Sequence, residues 1–197
     1  MGTIRLAPIE KPGSLFLKLA YNMAKRQFGK VIMPLKVIYA RVPALLMLSG
    51  KMESTEKKLS LPKDIRILIK IFISHSNDCK FCSDFSEYEA AKNSVEGRKI
   101  IEMLHYRKSA AFSDLEKALF AYLEEINATK SCSDETFNNL KNYFSEKEII
   151  EITWLCAKEN YYNMMAKPLN IPSDQLAKPA MQREEIGLPN TALQQAS

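Results

Sequence analysis

Residues 65–82, IRILIKIFISHSNDCKFC, decide the fold. Over residues 65–73 apolar side chains fall on nearly every side of a helix, a pattern typical of a helix buried at the centre of a domain. The run is β-branched enough to fit a strand as well, but no partner strands are apparent elsewhere in the sequence. Residues 76–78 then break the helix, and we expect Asn77 or Asp78 to cap a new helix whose first turn holds a C-x-x-C pair.

Helical periodicity extends in both directions from this stretch. Further helices are predicted over residues 14–27, 34–40, 43–50, 79–93, 96–108, 113–127, 133–143 and 145–166. Capping boxes at Ser113 and Ser145 mark two of the helix starts. The sequence therefore predicts an all-α fold, with a single compact helical domain over residues 1–172 and an extended C-terminal tail over residues 173–197.

Length and composition place the chain among soluble globular proteins. It has 197 residues, of which 46% are hydrophobic and 26% charged, and these values exclude disordered and collagen-like chains. The longest apolar runs, such as Ala44–Leu48, are far too short to cross a bilayer, and the N-terminus lacks the pattern of a secretory signal. We therefore expect a cytoplasmic protein with no membrane partner.

The positive charge is concentrated in the first third of the chain. Residues 1–70 contain 14 Lys and Arg against 4 Asp and Glu, although the whole chain carries a net charge of only +5. The basic residues are scattered singly among apolar ones, and no run of five occurs. We therefore expect no nucleic-acid partner, and we interpret the asymmetry as complementary surfaces that pack together within or between subunits.

Two of the four cysteines, Cys79 and Cys82, form the chemically informative motif. At a helix N-terminus, unpaired backbone N–H groups would stabilise a Cys79 thiolate, and Cys82 would lie within disulfide reach one turn later. A zinc site would need four ligands, but no second cysteine pair exists and the chain has only His75 and His105. The pair therefore indicates thiol redox chemistry; the alternative is two cysteines packed as small apolar residues.

Residues 29–172 resemble the carboxymuconolactone decarboxylase superfamily and, within it, the alkylhydroperoxidase D-like proteins. The resemblance begins with the buried helix and SNDCKFC at 76–82, which matches the family core N-G-C-x-[YF]-C except that Asp78 takes the glycine position. It continues, in order and at the right spacing, through EAA at 89–91, FSDLEKAL at 112–119, FSEKEIIEI at 144–152 and ENYYN at 159–163.

The resemblance implies an all-helical fold assembled into trimers or hexamers. It also implies a dithiol that reduces hydroperoxides in antioxidant defence without a tightly bound cofactor. A thiol reductant protein or a dihydrolipoamide-type lipoyl donor would then reduce the resulting disulfide again. By resemblance, Cys82 would react with the peroxide and Cys79 would be the more exposed partner that exchanges with the reductant. The helix-dipole argument alone favours Cys79 as the nucleophile, so the two assignments conflict.

The family's proton relay is missing from this chain. Peroxidase members carry a Glu twelve residues before the first Cys and a His four residues after the second, and here those positions hold Ile67 and Ser86. Four residues near the motif or on neighbouring helices are candidates to replace the relay: His75, Asp84, Ser86 and Glu116. Glu89 is a further nearby carboxylate. His75 is the only histidine near the motif, and histidine is a common general acid and base. Ser86 shares the helix face of Cys82 and could hold a water.

Two other functions fit the same family features. One is a lyase that decarboxylates a lactone acid like the superfamily's namesake, a reaction that needs no dithiol. The other is a non-enzymatic oligomeric protein whose cysteine pair senses oxidants. Retained activity in a Cys79→Ser variant would favour the first, and a stoichiometric disulfide without turnover would favour the second.

Overall fold

A computed structural model describes residues 3–178, and no strand occurs among them, so the predicted all-α class is confirmed. The α-helices are α1 (Leu15–Phe28), α2 (Pro43–Glu56), α3 (Lys63–Ser76), α4 (Lys80–Lys92), α5 (Gly97–Glu102), α6 (Asp114–Thr129), α7 (Asp134–Lys141) and α8 (Glu146–Ala166). A π-helical turn covers Leu35–Tyr39, and 3₁₀ turns cover Met103–His105 and Lys167–Leu169.

Helix α3 lies at the centre and packs against α4, α6 and α8. Nine of its fourteen residues are buried, as the all-round apolar pattern predicts. Its N-terminus is held by Glu151 of α8, whose carboxylate accepts the backbone N–H groups of Ser60 and Leu61 at 2.9 and 3.0 Å. A carboxylate at this end also suits the positive pole of the helix dipole.

The predicted capping boxes are confirmed. The Ser113 and Ser145 hydroxyls accept backbone N–H groups of α6 and α8, and Glu116 and Glu148 bond back to the two cap residues. Ser14 caps α1 in the same way, although without the returning glutamate. These starts follow from local side-chain chemistry, which explains why the sequence predicts them to within a residue.

Two predicted helix boundaries are wrong. Helix α2 does not end at Gly50 but continues to Glu56, whose carboxylate is buried against lysines from α3 and α8. The helix predicted over residues 96–108 is shorter, because the backbone tightens into the 3₁₀ turn Met103–His105, which directs the fully buried Met103 into the core.

The expected cap of α4 is also wrong, because neither Asn77 nor Asp78 caps the helix. Cys79 itself is the N-cap residue, and no side chain caps it. Asp78 instead adopts a left-handed backbone conformation with φ 47°, and it does so at the position where the family core has glycine. Aspartate is one of the few residue types that tolerates this conformation, so the turn survives the exchange.

The chain after α8 returns across α4. The backbone N–H of Ala177 donates to Asp84 Oδ1 at 2.9 Å, and Asp174 accepts the N–H of Met33 at 2.7 Å. Leu176 is buried beside Tyr88. The start of the predicted tail is therefore packed on the helices, and its remainder, residues 179–197, lies outside the described residues.

One face of α1 carries large apolar side chains in solvent. They follow helical spacing and are Leu15, Phe16, Leu19 and Met23, of which Leu15 is 83% exposed. The trimer or hexamer that the resemblance implies stays a prediction, and such an assembly would cover surface of this kind. Within residues 3–178 no helix has the length and apolar character needed to span a membrane.

Candidate active site

The cysteine pair lies where the end of α3 meets the start of α4. Cys79 is the N-cap residue of α4, and Cys82 follows in the first turn, with 5.2 Å between their Cα atoms. The two sulfurs are joined in a disulfide. The first amide N–H groups of a helix lack intrahelical partners, so a sulfur released here as thiolate gains their electrostatic stabilisation.

Both cysteines are buried, and Cys79 is not the more exposed one that the resemblance implies. Cys79 is 1% exposed and Cys82 5% exposed. Cys79 is covered because it belongs to an apolar cluster with Val37 and Ile38 of the π-helical turn and with Ile171 after α8. Sequence periodicity does not reveal this cover, since it comes from segments about forty residues before and ninety after the motif.

Cys82 opens onto a cavity of about 210 Å³, and Cys79 is not among its lining residues. The walls are mostly apolar and aromatic, formed by Ile32, Pro34, Ile38, Tyr39, Phe81, Phe85, Tyr162, Met165 and Ala166. A dry cavity of roughly 150 Å³ is enough to hold benzene, so this space fits a small aromatic ring or a short alkyl chain. An organic molecule bound here would be in reach of the Cys82 sulfur.

Charged side chains form one end of the same cavity. They come from four helices and are Glu53, Lys70, Glu89, Lys158 and Glu159. Lys70 pairs with Glu89 at 2.6 Å, and Lys158 pairs with Glu53 at 2.5 Å. Each lysine also pairs with Glu56 behind the cavity wall. Of this cluster only Glu89 was predicted as a site carboxylate. Two signals for the rest were present in the sequence: Lys70 lies inside an otherwise apolar helix, and Glu159 begins the ENYYN stretch that carries the family resemblance.

Burial and pairing divide the acid groups of this cluster into two kinds. Burial alone would raise the pKa of Glu56, but the ammonium groups of Lys70 and Lys158 outweigh it and lower that pKa. Glu159 has no ion-pair partner among residues 3–178, and burial raises its pKa to about 7. The cavity is therefore lined by one carboxyl group without an ion-pair partner, Glu159, and by two carboxylates held in ion pairs, Glu53 and Glu89.

The structure brings only some of the predicted site residues together. Ser86 lies one turn after Cys82, lines the cavity, and donates its hydroxyl to the Ser83 carbonyl at 3.0 Å. Asp84 points away from the cavity to Ala177. His75 bonds Glu87 at 2.8 Å. None of the cavity-lining residues is His75, Asp84 or Glu116.

Glu116 has a structural position. It completes the capping box of α6 and pairs with Lys99 at 2.5 Å. The two remaining cysteines are free. Cys156 is buried, and burial raises the pKa of its thiol to about 11, so it resists thiolate chemistry.

The sequence model of the carboxymuconolactone decarboxylase family matches residues 48–125. This segment contains α3, α4 and most of α6, and therefore both cysteines and the helix turn between them. Over this segment the chain carries the sequence pattern of the carboxymuconolactone decarboxylase family, as the resemblance implied. Its all-helical architecture is that of the alkylhydroperoxidase D-like members, as the resemblance implied.

The similarity to a curated relative extends over most of the chain. The uncharacterized protein YnjA of Escherichia coli (strain K12) is 24% identical over 176 residues, which are 88% of this chain and 96% of YnjA. The similarity therefore extends well beyond the segment that the family model matches.

Solved structures of other superfamily-like proteins share the fold. The putative antioxidant defence protein AhpD ATU0492 of Agrobacterium tumefaciens is 25% identical and superposes with a TM-score of 0.66, over 70% of this chain and 96% of its own. The debrominase Bmp8 is 17% identical with a TM-score of 0.72, over 92% and 97% of the two chains. Different chemistries are thus built on this one scaffold.

Proposed function

We propose that the chain is a thiol-dependent peroxidase that uses Cys79 and Cys82 to reduce an organic hydroperoxide. One observation carries the proposal: a cysteine pair in disulfide geometry has one sulfur, Cys82, on a mostly apolar cavity and the other, Cys79, behind it at the helix N-terminus. The first sulfur can meet a substrate, and the second can resolve the product without leaving the core.

The reaction then has two steps. The Cys82 thiolate attacks the terminal hydroperoxide oxygen, the O–O bond breaks, and the alkoxide takes up a proton to leave as the alcohol. The resulting Cys82 sulfenic acid condenses with the Cys79 thiol, which forms the disulfide and releases water. Overall one dithiol and one hydroperoxide give one disulfide, one alcohol and one water, so two electrons pass from sulfur to oxygen.

An external dithiol returns these electrons. We expect a dihydrolipoamide-type donor or a thiol reductant protein, because no tightly bound cofactor is needed for thiol–disulfide exchange. Attack on the Cys82 sulfur from the cavity would expel Cys79 as a thiolate, which the helix N-terminus stabilises as a leaving group. We further expect a cytoplasmic homo-oligomer, in which the reducing compartment keeps the pair available for another cycle.

The experiment is a titration of the fully reduced protein with cumene hydroperoxide, read by intact and peptide mass spectrometry. We expect about one equivalent to produce the Cys79–Cys82 disulfide and dihydrolipoamide to reduce it again, because each cycle consumes one hydroperoxide. A Cys132→Ser variant is the matched control and should behave like the unmodified chain. Cys79→Ser and Cys82→Ser should each abolish disulfide formation and turnover.

The same titration separates the other functions. Oxidation of Cys132 alone would rule out the dithiol mechanism and favour a lyase. A disulfide that forms once, without turnover under any dithiol donor, would favour an oxidant sensor. Substitution of a brominated pyrrole for the hydroperoxide tests whether this cavity shares the chemistry of the debrominase, whose cysteine-to-alanine variant was solved with 2,3,4-tribromopyrrole.

A further inference from the structure

A cluster of charged side chains, most of them buried, forms the polar part of the cavity lining. Four helices contribute to it: Glu53 and Glu56 from α2, Lys70 from α3, Glu89 from α4, and Lys158 and Glu159 from α8. Such a cluster is costly to desolvate unless its charges are paired. The way in which the charges are paired leaves one of the six groups apart from the rest.

Five of the six groups form a continuous chain of ion pairs. It runs from Glu89 through Lys70, Glu56 and Lys158 to Glu53, whose side chain is 49% exposed and marks the solvent end. Two ammonium groups therefore already face three carboxylates. A fourth ionised carboxylate, that of Glu159, would leave the buried cluster two negative charges in excess.

Glu159 is held by hydrogen bonds and not by an ion pair. Its Oε1 accepts the Ser74 hydroxyl at 2.9 Å and the Asn163 side-chain N–H at 3.0 Å. Glu159 is 6% exposed. Burial raises its pKa, the Ser74 hydrogen bond and the nearby Lys70 and Lys158 lower it, and Glu89 raises it. The balance near pH 7 means that proton gain and loss at Glu159 are both inexpensive.

Glu159 and Cys82 line the same cavity. On α4, Cys82, Ser86 and Glu89 are spaced i, i+4 and i+7, so they lie on one helix face, and all three line the cavity. Glu159 comes to this cavity from α8. The Ser86 hydroxyl therefore lies along the cavity wall between the sulfur and the charged end.

The other titratable groups around Glu159 are either held in ion pairs or are phenols. Glu53, Glu56 and Glu89 are ion-paired. Burial lowers the pKa of Lys70, but the carboxylates of Glu89 and Glu56 outweigh it and raise that pKa above its usual value. The phenols of Tyr39 and Tyr162 also have raised pKa values, because both are buried, and stay protonated.

We propose that Glu159 is the catalytic proton carrier for Cys82, in place of the family's Glu and His at positions 67 and 86. This inference rests on the proposed function. The Glu159 carboxylate takes the Cys82 thiol proton, directly or through a cavity water, as the thiolate attacks the hydroperoxide. It then gives the same proton to the alkoxide that leaves. No proton is gained or lost overall in this step, and Glu159 returns to its carboxylate form.

The test is the pH dependence of single-turnover oxidation by cumene hydroperoxide in the full chain. With Glu159 present, the rate should rise through about pH 7. Glu159→Gln should lose about a hundredfold at pH 7 and should also lose that rise, because an amide accepts no proton. Glu148→Gln makes the same substitution on the same helix at a capping box that accepts Gln, and it should leave the profile unchanged.

Ser74→Ala keeps the carboxyl group and removes a hydrogen bond that favours its charged form. The rise should therefore move to higher pH, a change that a purely structural role for Glu159 would not produce. A Glu159→Gln profile with the original rise near pH 7 would overturn the proposal. So would an unshifted profile in Ser74→Ala.

A second measurement without peroxide separates the two proposals. In Cys79→Ser, alkylation of Cys82 by iodoacetamide should depend on pH in two steps, because the charge on Glu159 and the thiol titrate together. Adding Glu159→Gln should leave one step. If the chain fails to react with hydroperoxide but shows the two steps, the proposed peroxidase function is wrong and the proposed proton exchange between Glu159 and Cys82 stands. A single step in both variants rejects the exchange itself.

Discussion

The Lys70 ammonium of α3 lies 2.6 Å from the Glu89 carboxylate of α4, and both groups line the cavity that Cys82 enters. The same ammonium lies 3.0 Å from Glu56 of α2. One buried cation thus fixes three helices relative to one another at the charged end of the site. Since buried charges are tolerated only when paired, the cavity shape depends on this lysine.

Lys70→Met should destabilise the fold by about 3 kcal/mol, because it leaves Glu56 and Glu89 buried with less compensation. Urea unfolding at pH 7 measures this free energy. Arg98→Ala is the control, since Arg98 forms its ion pair with Glu102 on the surface. The control should keep the unfolding midpoint of the unmodified chain. Equal midpoints for all three proteins would show that the Lys70 pairs contribute nothing.

Access to the two sulfurs should differ in solution as it does in the structure. The test uses two variants, Cys79→Ser and Cys82→Ser, both made in a chain that also carries Cys132→Ser and Cys156→Ser. We expect N-ethylmaleimide to modify Cys82 in the first variant on the order of ten times faster than Cys79 in the second. The reason is that Cys82 opens onto the cavity, whereas Cys79 is 1% exposed. Stopped-flow absorbance gives both rates. Faster labelling of Cys79 would restore the assignment that the family resemblance implies.

Most of the helices could be predicted because their signals are local. The capping boxes that begin at Ser113 and Ser145 each lie within four consecutive residues and predict a helix start. The apolar run over residues 65–73 indicates burial on all sides of α3. The end of α2 could not be predicted in this way. Glu56, at the end of that helix, pairs with Lys70 and Lys158. Ion pairs between residues so distant in sequence do not appear in the hydrophobic periodicity from which helices are predicted.

The candidate site was predictable only in its centre. The C-x-x-C spacing after a helix break indicates a redox pair, and the i+4 spacing of Ser86 from Cys82 predicts a shared helix face. Glu159 lies within the ENYYN stretch of the family resemblance but was not predicted as a site residue, because nothing in the local sequence distinguishes it from a solvated glutamate. Its role depends on Ser74 from α3 and Glu89 from α4, which only the tertiary fold brings near it.

The turn before Cys79 should be stabilised by glycine. Asp78 has φ 47°, a conformation that costs an L-residue roughly 1 kcal/mol and costs glycine almost nothing. Glycine also increases the conformational entropy of the unfolded chain, which opposes this gain, so Asp78→Gly should be neutral or more stable by about 0.5 kcal/mol. Lys57→Gly, at φ −62°, is the control and should lower the melting temperature. A lower melting temperature for Asp78→Gly as well would indicate that the Asp78 side chain itself stabilises the turn.

The contact between α4 and the segment 174–177 after α8 should depend on Asp84. Asp84→Ala removes the acceptor of the buried Ala177 N–H, and we expect a local loss of about 1–2 kcal/mol. Hydrogen exchange should therefore accelerate at residues 174–177 and stay unchanged in α6. Asp114→Ala, in the first turn of α6, is the control and should leave the exchange of this segment as it is. Unaltered exchange in Asp84→Ala would mean that Leu176 and its apolar neighbours hold the segment alone.

The raised pKa of Glu159 also predicts a pH-dependent stability. In the unfolded chain this carboxyl group ionises near its ordinary value of 4.5, whereas in the folded chain it ionises near 7. Between these values the unfolded state binds fewer protons, so the contribution of Glu159 to the free energy of unfolding is full below pH 4.5, falls as pH rises to 7 and is constant above. The total loss is up to about 3 kcal/mol.

Glu159→Gln mimics the protonated acid at every pH and removes this loss. The difference in unfolding free energy between Glu159→Gln and the unmodified chain should therefore grow in favour of the variant from pH 4.5 to pH 7. Urea unfolding at half-unit pH steps measures it, and Glu148→Gln corrects for changes common to the helix. A difference that is constant with pH would place the Glu159 pKa at its ordinary value and remove the physical basis for a proton carrier at this position.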